Sequence, residues 1–189
     1  MTFEVKIIEF LQRGLSGFWL TFFSLLTILG EITGFIITFA IIFIKNKKLS
    51  YFFAIFFIIS QFFNKFLKII IARERPFVNN ESIINFANES GYSMPSGHSL
   101  NISFFVSFLF YEYVLRGDKD KIKNISISIF LATLLFGVTL SRMVLGVHYL
   151  TDIILGVFIG IMFAFISILL YNSDIKNTRR KKDERNTYS

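Results

Sequence analysis

Five windows of about twenty predominantly apolar residues, near 25–44, 50–71, 98–115, 125–142 and 148–171, constrain this chain more than any other feature. The hydrocarbon core of a bilayer is ~30 Å thick, and a helix crosses it with ~20 apolar residues because backbone groups in lipid must bond internally. Composition agrees: 53% of the 189 residues are hydrophobic, 26 are Phe, and the mean hydropathy is +0.60, more apolar surface than a water-soluble domain this size buries. The expectation is an all-α integral membrane protein, one domain over residues 1–171, with five transmembrane helices. Glu31 interrupts the first window, and a separate short span over 18–29 would make six. The absence of cysteine excludes a disulfide framework and a thiolate metal site. Residues 1–17 alternate charged with apolar residues, unlike a cleavable signal peptide.

Residues 3–18 read as an amphipathic helix lying in the membrane interface. Phe3, Ile7, Phe10, Leu11, Leu15 and Phe18 form one stripe, and Lys6, Glu9, Arg13 and Ser16 the other. Thirteen of the twenty Lys and Arg fall in the 45–48 connection, the 116–123 connection and the tail after 171. An excess of basic residues marks the cytoplasmic side, so the C-terminus is expected there, with the 72–97 loop and the 143–147 turn outside. The basic 172–189 tail is expected to be a disordered topology determinant that attracts anionic lipid, and not a nucleic-acid binder.

Seven cations remain, and Lys65, Lys68, Arg73, Arg75 and Arg142 lie at or near the outer ends of spans, against that rule. Gln61, Asn64, Lys65 and Lys68 share one helical face. Snorkelling explains an isolated lysine there, whereas Gln61 and Asn64 point to a polar cavity inside the bundle. Pro76 is expected to end the second span, leaving Arg75 to turn back over the bundle. In "PSGHS", Pro95 suits the first turn of a helix, Ser96 and Gly97 leave N–H groups open to an anion, and His98 faces the same pocket. His148 and Asp152, at i and i+4, pair an imidazole with a carboxylate able to orient its Nδ1–H, while Gly156 and Gly160 continue that face as a small-residue ladder. Cations, a helix N-terminus, two histidines and a carboxylate together describe a pocket for a phosphate dianion.

"KIIIARERP" from Lys68 to Pro76, "PSGH" from Pro95 to His98, and "SRMVLGVHYLTD" from Ser141 to Asp152 resemble the three signature motifs of the type 2 phosphatidic acid phosphatases. These are membrane lipid phosphatases related to the vanadium haloperoxidases. The match spans residues 60–170 and holds both prolines and both histidines of the chain. The resemblance implies hydrolysis of a membrane lipid phosphate or diphosphate without metal or cofactor, at the extracytoplasmic face of a bacterial cell membrane. It assigns His148 as nucleophile, Asp152 as its orienting carboxylate, His98 as acid for the leaving group, and Lys68, Arg75, Ser96, Gly97 and Arg142 as phosphate-binding groups. Undecaprenyl diphosphate, phosphatidylglycerophosphate and phosphatidic acid are the candidate lipids, with a lean toward the first by analogy. A haloperoxidase and a small channel or transporter with a basic vestibule are the alternatives; the apolar spans speak against the former, and the His148/Asp152 spacing against the latter. Members of that family commonly have six spans, so a count of five would leave this chain without the first of them.

Overall fold

A computed structural model describes residues 2–117 and 119–187, the side chains of Arg185 and Thr187 excepted. The elements are α1 (Phe3–Gln12), α2 (Gly17–Thr27), a 3₁₀ turn (Ile28–Gly30), α3 (Ile32–Lys45), α4 (Lys47–Ile71), the short α5 (Pro76–Asn79), α6 (Gly97–Phe110) with a π-helical continuation (Tyr111–Leu115), α7 (Lys121–Val144) and α8 (Leu150–Thr187). Among these, α4, α7 and α8 are long and apolar enough to cross a membrane by themselves. α1 with α2 passes the same test only as a pair bent by 118°. Length and apolarity therefore yield fewer spans than the five to six expected.

The differences have local causes. Gly14 at φ +71° ends the N-terminal helix at Gln12 instead of 18. The 25–44 window is not one helix, because the chain breaks at Ile28–Gly30 and restarts beyond Glu31. There Gly30 packs against the Cβ of His98, and Asn101 Nδ2 donates to the Gly30 carbonyl at 2.8 Å, so the break fits the helix behind it. α4 stops at Ile71, where Ala72 turns left-handed (φ +47°), and Pro76 opens α5 with its φ already suited to a first turn. Pro95 stands before the Ser96 N-cap, outside the helix it was expected to start.

α6 is the centre of the bundle. Leu100, Phe104, Phe105 and Phe108 are buried, and so are Ser99, Asn101 and Ser103 between them, so the helix is enclosed on all sides from Ser99 to Phe105 and reaches the surface only toward Phe110. Ser103 donates to the Leu100 carbonyl at 2.9 Å, satisfying its hydroxyl within the helix. Against α6 lies α8, whose Gly156 and Gly160 face Ser96, Ser99, Leu100 and Ser103 so closely that a Cβ at Gly160 would collide with the Leu100 carbonyl. This is the close backbone approach that small-xxx-small ladders permit. Phe53 and Phe57 of α4 complete an aromatic core with Phe104, Phe105 and Phe108. Outward, Phe62, Phe136, Phe158 and Phe165 are mostly exposed, as side chains meant for lipid are.

α1 contributes more than an interfacial stripe. Val5 and Ile8 are buried with Ile83, Met143, Tyr149 and Ile153 in a second cluster, while Phe3 and Phe10 point away from the protein. α8 carries the remaining surprise: residues 172–187, expected to be disordered, continue its helix. An established helix extends without a new nucleus, and the Arg180–Glu184 pair at i, i+4 supports the extension. Residues 188–189 of that tail lie outside the described residues.

Candidate active site

The end of α4, the loop before α6, and the α7–α8 turn meet at one end of the bundle, and each brings charge. Arg75, the N-cap of α5, is only 3% exposed. Its Nε donates to the carbonyls of Ser90 (3.2 Å) and Gly91 (3.1 Å), Nη1 to Val147 (3.0 Å), and Nη2 to Glu89 Oε2 (2.7 Å). Arg142, in the last turn of α7, is 1% exposed and donates from Nη1 to Thr27 Oγ1 at 2.7 Å and from Nη2 to Glu89 Oε1. Glu89 is thus held through both carboxylate oxygens by two guanidiniums. Burial alone would push its carboxyl up; the Arg142 and Arg75 charges more than offset this and hold it below the usual carboxylate range.

Both histidines border this bridge. His98, in the first turn of α6, places Nδ1 3.9 Å from Glu89 Oε1 and Nε2 3.3 Å from Glu31 Oε1. His148 is buried in the α7–α8 turn with Nε2 3.4 Å from Arg75 Nη1. Its Nδ1 lies 3.4 Å from Asp152 Oδ2, out of line for a hydrogen bond, and has no bonded partner among the described residues. Asp152 is fully buried and already committed: Oδ2 accepts from the Tyr149 N–H at 2.9 Å, and Oδ1 from Arg73 Nη1 at 2.6 Å. Arg73 also donates to Glu4 Oε2 at 2.8 Å and stacks 3.9 Å over the Tyr149 ring. Glu4 in turn accepts from the Thr151 N–H at 2.8 Å, so α1 is tied to the first turn of α8 by charge as well as by its apolar face.

The other expected groups are present with altered partners. Lys68 donates to the carbonyls of Tyr92 (2.7 Å) and Ser93 (3.3 Å), near enough to Arg75, Glu89 and Arg142 to feel their charges. Ser96 uses its hydroxyl to cap α6, accepting from Ser99, and its own N–H donates to the Asp152 carbonyl at 3.0 Å, which fixes the start of α6 to α8. Gly97 faces the buried Asn64 of α4, whose Nδ2 would lie 3.2 Å from a Cβ there. Gln61 donates to Asn101 Oδ1 at 2.8 Å, so the polar face of α4 does turn inward, while Lys65 is exposed.

The structure therefore brings His98, His148, Asp152, Arg75, Arg142 and Lys68 into one connected network. Sequence reasoning missed Glu89, Glu31 and Glu4 and gave Arg73 no partner. No carboxylate stands at i±3 or i±4 of His98; Glu31 and Glu89 reach it from other elements. Arg73 left a trace as a cation on the wrong side of the topology pattern, and Glu31 as the charge that interrupts the first apolar window.

Residues 47–176 match the sequence profile of the PAP2 superfamily. Phosphatidylglycerophosphatase B of Bacillus subtilis (strain 168) is 31% identical over 121 residues, which are 62% of this chain and 55% of that protein, so the match spans little more than half of the relative's length. Among solved structures, LpxE of Aquifex aeolicus superposes with a TM-score of 0.74 at 20% identity, over 89% of this chain and 96% of that one. The first transmembrane PAP2 type phosphatidylglycerolphosphate phosphatase from Bacillus subtilis superposes with a TM-score of 0.73 at 24% identity, over 90% and 85%. These two likenesses establish the fold, and with the long apolar helices they make this a membrane protein.

Proposed function

This chain belongs to the PAP2 superfamily, and from that premise and the site geometry we propose that it is a lipid phosphatase acting through a phosphohistidine. The observation that carries the reading is the Glu89 carboxylate bridging Arg75 and Arg142 beside His98. Two buried guanidiniums that hold two carboxylate oxygens hold two phosphoryl oxygens equally well, and a dianion competes for them with more charge. A phosphate seated there meets the imidazole of His148, whose Nε2 lies 3.4 Å from Arg75.

In this mechanism His148 Nε2 attacks phosphorus and the bond to the lipid oxygen breaks. His98 delivers a proton to that oxygen as it leaves. His98, now neutral, takes a proton from water, whose oxygen attacks the phosphohistidine, and inorganic phosphate departs with His148 restored. Asp152 positions His148 by accepting its Nδ1–H once the 3.4 Å contact closes into line. Lys68, Arg75 and Arg142 stabilise the charge spread over the equatorial oxygens. Ser96 and Gly97 fix the first turn of α6, whose N-terminal dipole favours the anion.

The site faces the extracytoplasmic side of the cell membrane and the C-terminus the cytoplasm, because the cations at the other end of the bundle obey the positive-inside rule. The substrate is a lipid phosphomonoester or diphosphate. The name of the Bacillus relative favours phosphatidylglycerophosphate over undecaprenyl diphosphate and phosphatidic acid.

Phosphate release by the purified protein from each of these three lipids tests the reading. Turnover is expected to survive EDTA, to be inhibited by orthovanadate, and to vanish in His148→Ala together with the acid-labile, alkali-stable enzyme label that a phosphorus-labelled lipid leaves after a detergent quench. His98→Ala is expected to slow a phosphomonoester more than a diphosphate, whose leaving group is the weaker base. Absence of release from every lipid, restoration by magnesium after chelation, or label retained in His148→Ala overturns the proposal.

A further inference from the structure

At the opposite end of the bundle a cavity of about 370 Å³ is lined by Arg116, Tyr171, Asn172, Ile175, Lys176 and Arg179. A second, of about 440 Å³, runs between α6, α7 and α8, walled mainly by apolar side chains such as Val106, Phe110, Leu135, Phe165 and Leu169. Asn172 lines both, so the polar cavity and the apolar one adjoin at a single amide. At 1.5 Å per residue Tyr171 lies about 30 Å along α8 from Leu150, one hydrocarbon thickness away from the histidines.

The order of residues along α8 matches this shape. Phe165, Leu169, Asn172, Lys176 and Arg179 follow one another at alternating spacings of four and three, which keeps them on one helical face. Along that stripe the side chains change from apolar to amide to cationic, the sequence of polarities met on passing from an acyl chain through its ester to a phosphate. Charge complements the stripe. Arg116 Nη1 donates at 3.0 Å to both Glu112 and the Tyr171 hydroxyl, and Glu112 is buried behind it, so one cation is locally neutralised. Lys176 and Arg179 are exposed at the mouth and bring the site to a net positive charge. A topology signal needs only the number of cations near a membrane face and would be served equally by cations off the stripe, such as Lys181 and Lys182.

We propose that the two cavities form a binding site for an anionic phospholipid of the leaflet at this end, with its phosphate between Arg116, Lys176 and Arg179 and one acyl chain in the groove between α6, α7 and α8. Basic pockets among transmembrane helices hold such headgroups, each surface cation adding attraction. The site stands on observations apart from the histidines, so it survives or falls independently of the phosphatase reading.

Native mass spectrometry of the full chain in detergent, titrated with dioleoyl phosphatidylglycerol or dioleoyl phosphatidylcholine, tests it. The first phosphatidylglycerol is expected to bind about tenfold tighter than phosphatidylcholine. Lys176→Gln with Arg179→Gln, both at exposed positions, should reduce that preference to within about twofold. Lys181→Gln with Lys182→Gln removes the same charge off the stripe and should keep it, while Leu135→Trp, which fills the groove, should weaken both lipids. A preference absent from the unmodified protein overturns the site, and one that persists in the first double variant or is lost equally in both means diffuse attraction to the tail and overturns it too. Unchanged binding in Leu135→Trp overturns the acyl groove.

Discussion

Arg142 and Arg116 are the same residue type at opposite ends of one bundle, and their surroundings differ in kind. Arg142 is 1% exposed and grips a loop carboxylate and a hydroxyl from α2, whereas the Arg116 side chain keeps 41% of its surface exposed and pairs with Glu112 one turn before it. A cation that reaches water needs no particular neighbour. A buried one is tolerable only when groups from several elements converge on it, because desolvation otherwise exceeds the attraction. The site end therefore demands the tertiary structure, and the basic end largely does not.

The largest effect expected from this contrast is on rate. Asp152→Asn should leave a folded chain, judged by circular dichroism and gel filtration, yet lower phosphate release by ~10⁴-fold, as loss of tautomer control does in Ser-His-Asp triads, where the imidazole is the general base. Glu112→Gln, an equally conservative change to a buried carboxylate at the basic end, should alter release by less than about twofold. A comparable loss in both variants would erase the distinction between the two ends.

Stability comes next. Arg142→Met leaves the partly buried Glu89 with one guanidinium fewer and should cost about 3–5 kcal/mol in reversible unfolding. Lys48→Met removes half of an ion pair whose side chains are 40% and 48% exposed, and should cost less than about 1 kcal/mol. Equal costs would mean that burial is not what separates the two ends.

The smallest effect is a pH dependence. Because the folded Glu89 carboxyl titrates below its ordinary range, its ionised form stabilises the protein above the unfolded value of about 4.3, and that contribution fades as pH falls through the lower folded value. Glu89→Gln should thus lower the melting temperature at pH 7 and converge on the unmodified protein near pH 3. The matching exposed change, Asp174→Asn, should show little of this. A Glu89→Gln deficit that persists undiminished in acid would remove the ion bridge as its cause.

Much of this is legible in the sequence. The windows over α4, α7 and α8, the inward polar face at Gln61 and Asn64 and the Gly156/Gly160 ladder follow from helical periodicity, which relates residues three or four apart; His148 does not, because it precedes Leu150, the first residue of α8, and the α7–α8 turn brings it to Asp152. The break at Ile28–Gly30 was hidden because its residues are apolar like those around it, and the reason for it, His98 and Asn101 on α6, lies about seventy positions away. The helical tail was hidden for the opposite reason, since its composition reads as disordered until a preceding helix supplies the nucleus.

The sequence by itself determined that the chain enters a membrane, which connections and tail carry most of its Lys and Arg, and which segments carry the histidines, cations and carboxylate of the candidate site. Each of these depends on composition or on neighbours along one helix. Only the tertiary structure decided that Glu89 bridges Arg75 and Arg142, that Glu31 reaches His98, and that Arg73 ties Asp152 to Glu4. Those partners are 14 and 53, 67, and 79 and 69 positions apart. No periodicity relates such positions; the packing of α6 against α8 and of α1 beneath the α7–α8 turn brings them within hydrogen-bond reach, and the cost of an unpaired buried charge keeps them there.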